Sequence, residues 1–277
     1  MNTSNSTYNA SKANIGIEAE INRLKAQALM GWEKEYQYLK WYGLEDGMKV
    51  LEVGCGPGFV TEQLIKNLPK SKITALDFDK KLLTNAKQLS TTSNVNFIQS
   101  SVYDMGLPDN EYDFAIARLI FLHLYEPVKA AEEIFRVLKP GGKLVIIDID
   151  DGIFGVVQPN IENLHSIINK LIRMQGDAGG NREIGRSLPR LLKETGYCNI
   201  SLDAISLHSD LVGLEGFVEQ FNPKRFEPFF RSGILSESDF QHIEKAYENL
   251  LINPDSYAMM IFHLACGTKP LNGSDDK

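Results

Sequence analysis

The sequence predicts an α/β protein with a doubly wound, mostly parallel sheet of seven strands. Short runs rich in β-branched residues alternate with segments of helical periodicity between residues 49 and 149. A glycine-rich turn follows the first of these runs. Crossover connections between parallel strands produce this alternation, and they place helices on both faces of the sheet. The chain has 277 residues, 43% of them hydrophobic, which is enough for one sizeable core.

The individual elements follow from the spacing of apolar residues. Apolar side chains recur on one side of a helix through residues 16–42, and Gly43 and Gly47 end that pattern. We predict the strands at residues 49–53, 72–76, 95–99, 112–117, 143–149, 200–207 and 257–265. We predict the remaining helices at residues 61–68, 80–89, 127–138, 160–174, 188–195, 214–221 and 237–251.

The regular alternation weakens after Asp151, where two insertions interrupt it. The insertions, at about residues 151–186 and 211–256, should lie over the carboxyl ends of the strands as a mostly helical cap. The expected organisation is a disordered tail at 1–15, lid helices at 16–43, a ligand-binding domain at 44–270 that includes both insertions, and a flexible tail at 271–277.

Charge and composition argue against several classes of partner. The net charge of −7 disfavours nucleic acids, whose phosphates are neutralised by Lys and Arg. Cys55, Cys198 and Cys266 are odd in number and form no metal-binding pattern, which indicates free thiols in a reducing compartment. We find neither a signal sequence nor the roughly 18 apolar residues that a membrane span needs. We therefore expect a cytoplasmic monomer or homodimer with no metal, nucleic-acid or membrane partner.

The glycine-rich turn spans Glu52-Val53-Gly54-Cys55-Gly56-Pro57-Gly58. Glycine permits positive φ and lets a backbone approach a ligand closely, and the following helix offers unpaired N–H groups. Alone, such a turn is equally consistent with a dinucleotide site. An acid that ends the next strand, Asp77, could accept hydrogen bonds from ribose hydroxyls. The alternative is that Asp77 and Asp79 only cap the helix that begins near Lys80.

Several ordered motifs resemble class I S-adenosylmethionine (SAM)-dependent methyltransferases. The glycine turn resembles motif I of that family, and Asp77 falls where the family places its ribose-binding acid. The similarity also includes Tyr112-Asp113 and the Arg-Val-Leu-Lys-Pro-Gly-Gly stretch at 136–142, and it covers about residues 49–149 and 188–270. The resemblance implies a Rossmann-like sheet whose last strand is antiparallel. It also implies SAM as the cofactor and S-adenosyl-L-homocysteine as its product.

The resemblance assigns a set of residues to cofactor binding. These are Arg23, Gln27, Glu52, Gly54, Cys55, Gly56, Asp77, Phe78, Ser101, Val102 and Arg118. Ser100-Ser101 departs from the Gly-Asp of many family members, so the acid that contacts the adenine amino group is missing. Alternatives stay open for several of them: Phe78 could pack a helix, Arg118 could orient the substrate or lie on the surface, and Arg23 and Gln27 could belong to a solvated helix face.

Candidate catalytic residues surround the expected sulfonium position. His123 could act as a base or pack against the cofactor loop. Asp148 and Asp150, with Asp151, could hold an amine or deprotonate a hydroxyl, or they could merely form a turn and cap a helix. Arg118-Leu119-Ile120-Phe121 replaces the Asn/Asp-Pro-Pro-aromatic motif at the end of the fourth strand, which argues against methylation of adenine or of a glutamine amide.

Substrate contacts are expected from Tyr36, Phe154, Arg173 and Arg186. The arginines, with Arg182, could recognise a carboxylate or form salt bridges within the lid. We predict an N- or O-methyltransferase acting on a small molecule or a peptide natural product. The alternatives are a peptide or protein N-methyltransferase, a SAM-binding regulator without turnover, and a nicotinamide oxidoreductase.

Overall fold

The computed structural model describes residues 6–8, 16–90, 92–153 and 155–271. The strands are β1 Lys49–Val53, β2 Lys72–Asp77, β3 Val95–Gln99, β4 Tyr112–Arg118, β5 Leu138–Ile149, β6 Gly155–Gln158, β7 Cys198–His208 and β8 Tyr257–Thr268. The helices are α1 Ile17–Met30, α2 Trp32–Trp41, α3 Phe59–Asn67, α4 Lys80–Leu89, α5 Pro127–Val137, α6 Leu164–Asp177, α7 Leu188–Glu194, α8 Ser209–Val212, α9 Glu215–Val218, α10 Pro223–Arg231 and α11 Glu237–Ile252.

All strands belong to one sheet. Strands β3, β2, β1, β4 and β5 lie side by side in that order and are parallel. Strand β8 runs antiparallel between β5 and β7. The predicted doubly wound, mostly parallel sheet with an antiparallel last strand is therefore confirmed. The order changes direction at β1, where β4 lies on the side opposite β2, and ligands bind at such switch points in α/β sheets.

Strand β6 is an element that the sequence pattern did not predict. It pairs with the beginning of β8, where Gly155 lies opposite Met260. On the other side of β8, Met260 pairs with Leu207 of β7. Strand β6 therefore continues the edge that β5 leaves at Ile149, and the described sheet has eight strands instead of seven. The sequence of β6 offers only four residues of strand-like alternation, directly after an irregular segment. A pattern this short does not distinguish a strand from a loop.

Besides shifts of a few residues at helix ends and the unpredicted short helix α8, the helices differ from the predictions at two places. The pattern over residues 16–42 forms two helices that meet at Gly31, where an added Cβ would lie 2.5 Å from Glu35 Oε1. The absence of a side chain there lets the Glu35 carboxylate approach the bend. Helix α10 follows the predicted 214–221 segment, and Asn222 caps it by accepting a hydrogen bond from Lys224 N at 3.2 Å. Pro223 occupies its first turn, where a missing N–H costs nothing.

The core lies on both faces of the sheet, because successive strand residues point to opposite sides. Val50 packs on the face that carries α1, α2 and α3, together with Phe114 and Val145. Leu51 packs on the other face, which α5 and α7 cover. A third cluster joins α6, α10 and α11 away from the sheet. This last cluster is a separate small core that packs the helices of the cap together.

Cys55, Cys198 and Cys266 are free thiols. Within the described ranges, no helix combines the length and the apolar character needed to cross a membrane.

Candidate active site

A cavity of about 410 Å³ opens at the carboxyl ends of β1, β2 and β4. Its volume falls in the range of sites that bind small molecules, about 300 to 1,000 Å³. One end is formed by the glycine turn and by the residues that follow β2 and β3. The other end extends beneath α1, α6 and α10 and is mainly apolar. The cavity therefore joins the sheet to both the N-terminal helix and the cap.

The glycine turn is held against the end of β2. The N–H groups of Gly54 and Cys55 both donate to the Leu76 carbonyl, at 2.7 and 2.9 Å. Gly54 has a φ of +73° and Gly56 a φ of +53°, so both occupy the left-handed region that favours glycine. These bonds leave the backbone of the turn facing the cavity.

The two glycines are required for different reasons. A Cβ at Gly54 would lie 2.3 Å from Ile120 Cγ2, so protein packing excludes a side chain there. A Cβ at Gly56 would meet no atom within 4 Å. Gly56 lines the cavity, and the open space beside it is where a ligand can approach the backbone. Packing against the protein therefore requires glycine at Gly54, whereas at Gly56 the missing side chain leaves room for a ligand beside the backbone.

Asp77 and Asp79 have separate roles. The Asp77 carboxylate is buried and accepts hydrogen bonds from Gly56 N and Asp79 N, each at 2.8 Å, and it lines the cavity. Burial raises the pKa of this carboxyl group to about 6. Asp79 caps α4 by accepting hydrogen bonds from Lys81 N and Leu82 N. The capping alternative therefore accounts for Asp79 but not for Asp77.

Glu52 links the last residues of β1 to α3. It is buried, and the Thr61 hydroxyl donates to Glu52 Oε2 at 2.6 Å. Burial raises the pKa of Glu52 to about 8. Because Thr61 lies in the first turn of α3, this bond positions the helix start next to the strand end. Glu52 thus supports the glycine turn from below while also lining the cavity.

The residues assigned to the adenine side come together at the same end of the cavity. Cys55, Phe78, Ser101 and Val102 all line it. Phe78 is 36% exposed, so its ring is only partly packed into the protein. Ser101 Oγ accepts a hydrogen bond from Tyr103 N at 3.2 Å and so organises its own loop.

Helix α1 turns one polar side towards the cavity. The Arg23 guanidinium forms two hydrogen bonds with the buried Glu20 carboxylate, at 2.6 and 2.9 Å, and Arg23 Nη1 lies 3.4 Å from Gln27 Oε1. The Tyr8 hydroxyl donates to Glu20 Oε1 at 2.9 Å. Tyr8, Glu20, Arg23 and Gln27 all line the cavity. The structure therefore does not support the alternative in which this side of α1 is a solvated face.

Arg118 lines the cavity, but most of its donors are used within the protein. Its Nε and Nη2 atoms bond to the two carboxylate oxygens of Glu35, at 2.6 and 2.8 Å, and Nη2 also reaches the Gln27 carbonyl at 2.9 Å. The Glu35 side chain is fully buried. Arg118 therefore attaches α1 and α2 to β4, which excludes the alternative of a surface residue and leaves only Nη1 for a ligand.

His123 lies at the cavity wall in a network of neutral partners. Its Nδ1 atom is 2.9 Å from Thr7 Oγ1 and 3.3 Å from Gln175 Nε2. Burial, with the positive charges of Arg182 and Arg23, lowers the pKa of His123 to about 3. A general base is most effective with a pKa near the working pH. The geometry therefore supports packing and does not support the expected role as a catalytic base.

Of the three acids at the end of β5 and just after it, only Asp151 lines the cavity. Asp148 is buried and accepts hydrogen bonds from Leu122 N and Ile149 N. Asp150 forms two hydrogen bonds with Arg186, both at 2.6 Å. Neither acid lines the cavity, so the catalytic roles expected for them are not supported. Asp151 does line it, and Arg182 donates to Asp151 Oδ2 at 2.5 Å.

The expected substrate contacts are also largely elsewhere. Tyr36 stacks on Trp32, with ring centroids 5.4 Å apart, and lies outside the cavity because α2 packs against α3 on that side. Arg173 is exposed on the outer side of α6. Arg186 forms the salt bridge with Asp150 that the sequence left open as the alternative. Phe154 lies outside the described residues.

Several cavity residues were missed by sequence reasoning. Tyr8, Gln175 and Arg225 line the cavity, as does an apolar side of α6 that includes Leu164, Ile168 and Leu171. The helical spacing of the α6 residues was visible in the sequence, but it indicates only a buried face. No local pattern distinguishes Arg225 from other arginines, because its position depends on how α10 packs.

Comparison with known proteins identifies the family of the domain. Residues 44–196, more than half of the chain, match the methyltransferase domain family. The chain is 28% identical over 146 residues to a demethylmenaquinone methyltransferase of Listeria monocytogenes, with 51% of this chain and 58% of the relative covered. It is 27% identical over 184 residues to a malonyl-[acyl-carrier protein] O-methyltransferase of Priestia megaterium, with 66% and 64% covered.

The fold extends the similarity beyond the matched domain. A phosphoethanolamine N-methyltransferase of Haemonchus contortus, solved with phosphomonomethylethanolamine and S-adenosylhomocysteine, superposes with a TM-score of 0.62 at 18% identity. The alignment covers 94% of this chain and 59% of that one. The matches to the Listeria and Priestia enzymes span 58% and 64% of those relatives' lengths. This chain belongs to the methyltransferase domain family, and its fold is the Rossmann-like fold of class I SAM-dependent methyltransferases.

Proposed function

We propose that this protein transfers a methyl group from SAM to an oxygen or nitrogen atom of a small molecule or peptide natural product. The observation that carries the proposal is the continuous cavity, which joins the glycine turn and Asp77 to an apolar space beneath the cap. A cofactor end and an acceptor end in one cavity are what a direct group transfer requires.

The residues at the sheet fit SAM. Gly56 leaves open space beside its backbone, and Asp77 presents a buried carboxylate whose oxygens can each accept one more hydrogen bond. Phe78, Ser101 and Val102 would hold the adenine, whereas Arg23, Gln27 and Arg118 Nη1 would face the amino-acid portion. When bound, SAM supplies an electrophilic methyl group for an in-line displacement.

The acceptor end favours a small, largely apolar substrate. Ile161, Leu164, Ile168 and Phe229 line this part of the cavity, and α1 and α10 cover it. A covered chamber suits a small molecule or a short peptide better than the surface of a folded protein. The named relatives act on different acceptors, a demethylmenaquinone, a malonyl-acyl-carrier protein and phosphomonomethylethanolamine among them, so family membership alone does not select one.

The chemistry at this end rests on alignment more than on a general base. His123 has its pKa lowered to about 3 and is a weak base. Asp151 is held by Arg182 at 2.5 Å. The acceptor atom would therefore arrive with a free lone pair, as in an amine or an ionised oxygen. Correct positioning can supply a large share of the rate enhancement in such a transfer.

Calorimetric titration with SAM, S-adenosylhomocysteine and NAD tests the proposal. We expect micromolar binding of both sulfur ligands and none of NAD. Asp77→Ala should abolish that binding. Asp79→Ala is the matched control, because it removes the cap of α4 beside the site but leaves the cavity lining unchanged. The control should lose about 1 kcal/mol of stability and keep its affinity for S-adenosylhomocysteine.

The outcomes separate the alternatives. Tight NAD binding, or no binding of either sulfur ligand, would contradict the proposal. The glycine turn would then be assigned to a dinucleotide-binding enzyme. A screen of amines, phenols and carboxylic acids for S-adenosylhomocysteine production then distinguishes an enzyme from a regulator. Binding of SAM without turnover across the whole panel would favour the regulator.

A further inference from the structure

Arg225 lines the cavity and forms no salt bridge with a carboxylate of the described residues. It lies in the first turn of α10, and its Nη1 atom donates to the Gln220 carbonyl at 2.7 Å, to Gln220 Oε1 at 3.1 Å and to the Glu219 carbonyl at 3.4 Å. These acceptors are all neutral. Among the described residues, no carboxylate lies within ion-pairing distance of Arg225, and its Nε and Nη2 atoms make no hydrogen bond.

The other arginines of the cavity are neutralised. Arg23 is paired with Glu20, Arg182 with Asp151, and Arg118 with Glu35. Among the described arginines that line the cavity, Arg225 is therefore the one that no carboxylate pairs directly. Burial and the charge of Arg23 lower the pKa of Arg225 below its ordinary value, and the more distant carboxylates of Glu20 and Glu219 offset only part of this effect. Arginine nevertheless stays protonated at neutral pH. A buried positive charge without a paired anion costs free energy, and an anionic ligand would offset that cost.

The surroundings of Arg225 place this charge at the acceptor end. Its neighbour Phe226 packs with Ile168 and Leu171 of α6 in the cap core. Phe229, one turn further along α10, also lines this end of the cavity. The glycine turn and Asp77 lie at the other end of the cavity, beside the sheet. A guanidinium beside apolar walls suits a molecule with an apolar body and one anionic group.

We infer that Arg225 binds an anionic group of the methyl acceptor, a carboxylate or a phosphate, carried on an apolar body. The inference rests on the proposed function and deepens it, because it names the substrate class of the same cavity. Arginine recognises both anions through paired N–H donors, and Nε and Nη2 form the pair that remains unused here. Arg225 would thus determine specificity, while methyl transfer itself occurs at another atom of the cavity.

Binding of three ten-carbon probes to the protein saturated with S-adenosylhomocysteine tests this inference. Decanoate and decyl phosphate carry the two candidate anions, and decanol is the uncharged reference. We expect the wild type to bind at least one anion about tenfold to a hundredfold more tightly than decanol, the range expected for charge-assisted hydrogen bonds. Whichever anion is preferred identifies the group.

Three variants locate the effect. Arg225→Met should bring the affinity of the preferred anion down to that of decanol, and Arg225→Lys should retain part of the preference. Arg231→Met is the matched control on the same helix, because Arg231 is exposed and lies outside the cavity. It should behave as the wild type. Unchanged affinity for S-adenosylhomocysteine in all three variants shows that the fold and the cofactor end are intact.

The remaining outcomes overturn either the inference or the proposed function. Equal affinity for all three probes in the wild type, or a preference that survives Arg225→Met, removes Arg225 from acceptor recognition. A tenfold loss of S-adenosylhomocysteine affinity in Arg225→Met would assign the residue to the carboxylate of the cofactor. If the wild type does not bind S-adenosylhomocysteine, the proposed function fails, and the same probe series without it still tests the anion preference.

Discussion

Arg118 and Glu35 form a buried ion pair across 83 positions of the chain, with two hydrogen bonds of 2.6 and 2.8 Å. Arg118 ends β4 and Glu35 lies in α2, so the pair attaches the N-terminal helices to the switch point of the sheet. Gly31 makes the approach feasible, because a side chain at that position would collide with Glu35. The residue expected to bind the cofactor thus holds the lid against the cofactor site.

Removing one partner of this pair should destabilise the protein strongly. Glu35→Ala leaves a buried guanidinium uncompensated, and we expect a loss of about 3 to 5 kcal/mol in the free energy of unfolding. The control is Glu62→Ala, which breaks the exposed pair between Glu62 and Lys66 and should cost less than about 1 kcal/mol. Urea denaturation measures both. Similar losses in the two variants would show that the buried pair has no special role.

Gly56→Ala should separate binding from folding. A methyl group at Gly56 meets no protein atom, so the variant should fold with a penalty of about 1 to 2 kcal/mol from its positive φ. The same methyl group should obstruct the cofactor and weaken S-adenosylhomocysteine binding at least about tenfold. Gly47→Ala is the control, since Gly47 also combines positive φ with open space but lies outside the cavity. If Gly56→Ala binds S-adenosylhomocysteine normally, the backbone at Gly56 does not form part of the cofactor site.

The affinity for S-adenosylhomocysteine should depend on the protonation of Asp77. Ribose hydroxyls donate to the ionised carboxylate, and the pKa of Asp77 is raised to about 6 by burial. Above pH 6 the group is ionised, so the contribution of Asp77 to the affinity should be constant. Below pH 6 affinity should fall, approaching about tenfold per pH unit, because binding must first remove a proton. Calorimetry between pH 5 and 8 measures this slope, and Asp77→Asn should bind weakly with no slope. A slope that persists in Asp77→Asn belongs to another group.

His123 should make the protein less stable in mild acid. Its pKa is about 3 in the folded state against about 6.5 when unfolded, so the unfolded state takes up the proton first. The stability is fully present above pH 6.5 and is lost as the pH falls from 6.5 towards 3. At pH 5 the loss should reach at most about 2 kcal/mol relative to pH 7.5. In His123→Gln this part of the difference should disappear, whereas the exposed His165→Gln variant should keep it. Denaturation midpoints measured for these variants at the two pH values test whether His123 causes the loss of stability.

Most of the fold could be predicted from the sequence because its signals are local. Runs of β-branched residues, helical spacing of apolar side chains and the glycines of the turn each act within a few positions. The site at the sheet could be predicted for the same reason. Gly56 follows β1 and Asp77 ends β2, and the ends of neighbouring parallel strands meet at one edge of a sheet. Strand β6 and helix α8 were missed because they have only four residues each, and helix α10 because Pro228 interrupts its helical pattern.

By itself, the sequence determined the fold class, the family resemblance and the residues that line the cavity beside the sheet. Only the tertiary structure decided which charges meet. It pairs Arg118 with Glu35 and Arg186 with Asp150, and within the described part of the chain it gives Arg225 no salt-bridge partner. The physical reason is that an ion pair depends on the distance between two side chains, which the packing of lid and cap sets. The spacing of residues along the chain carries no information about that distance.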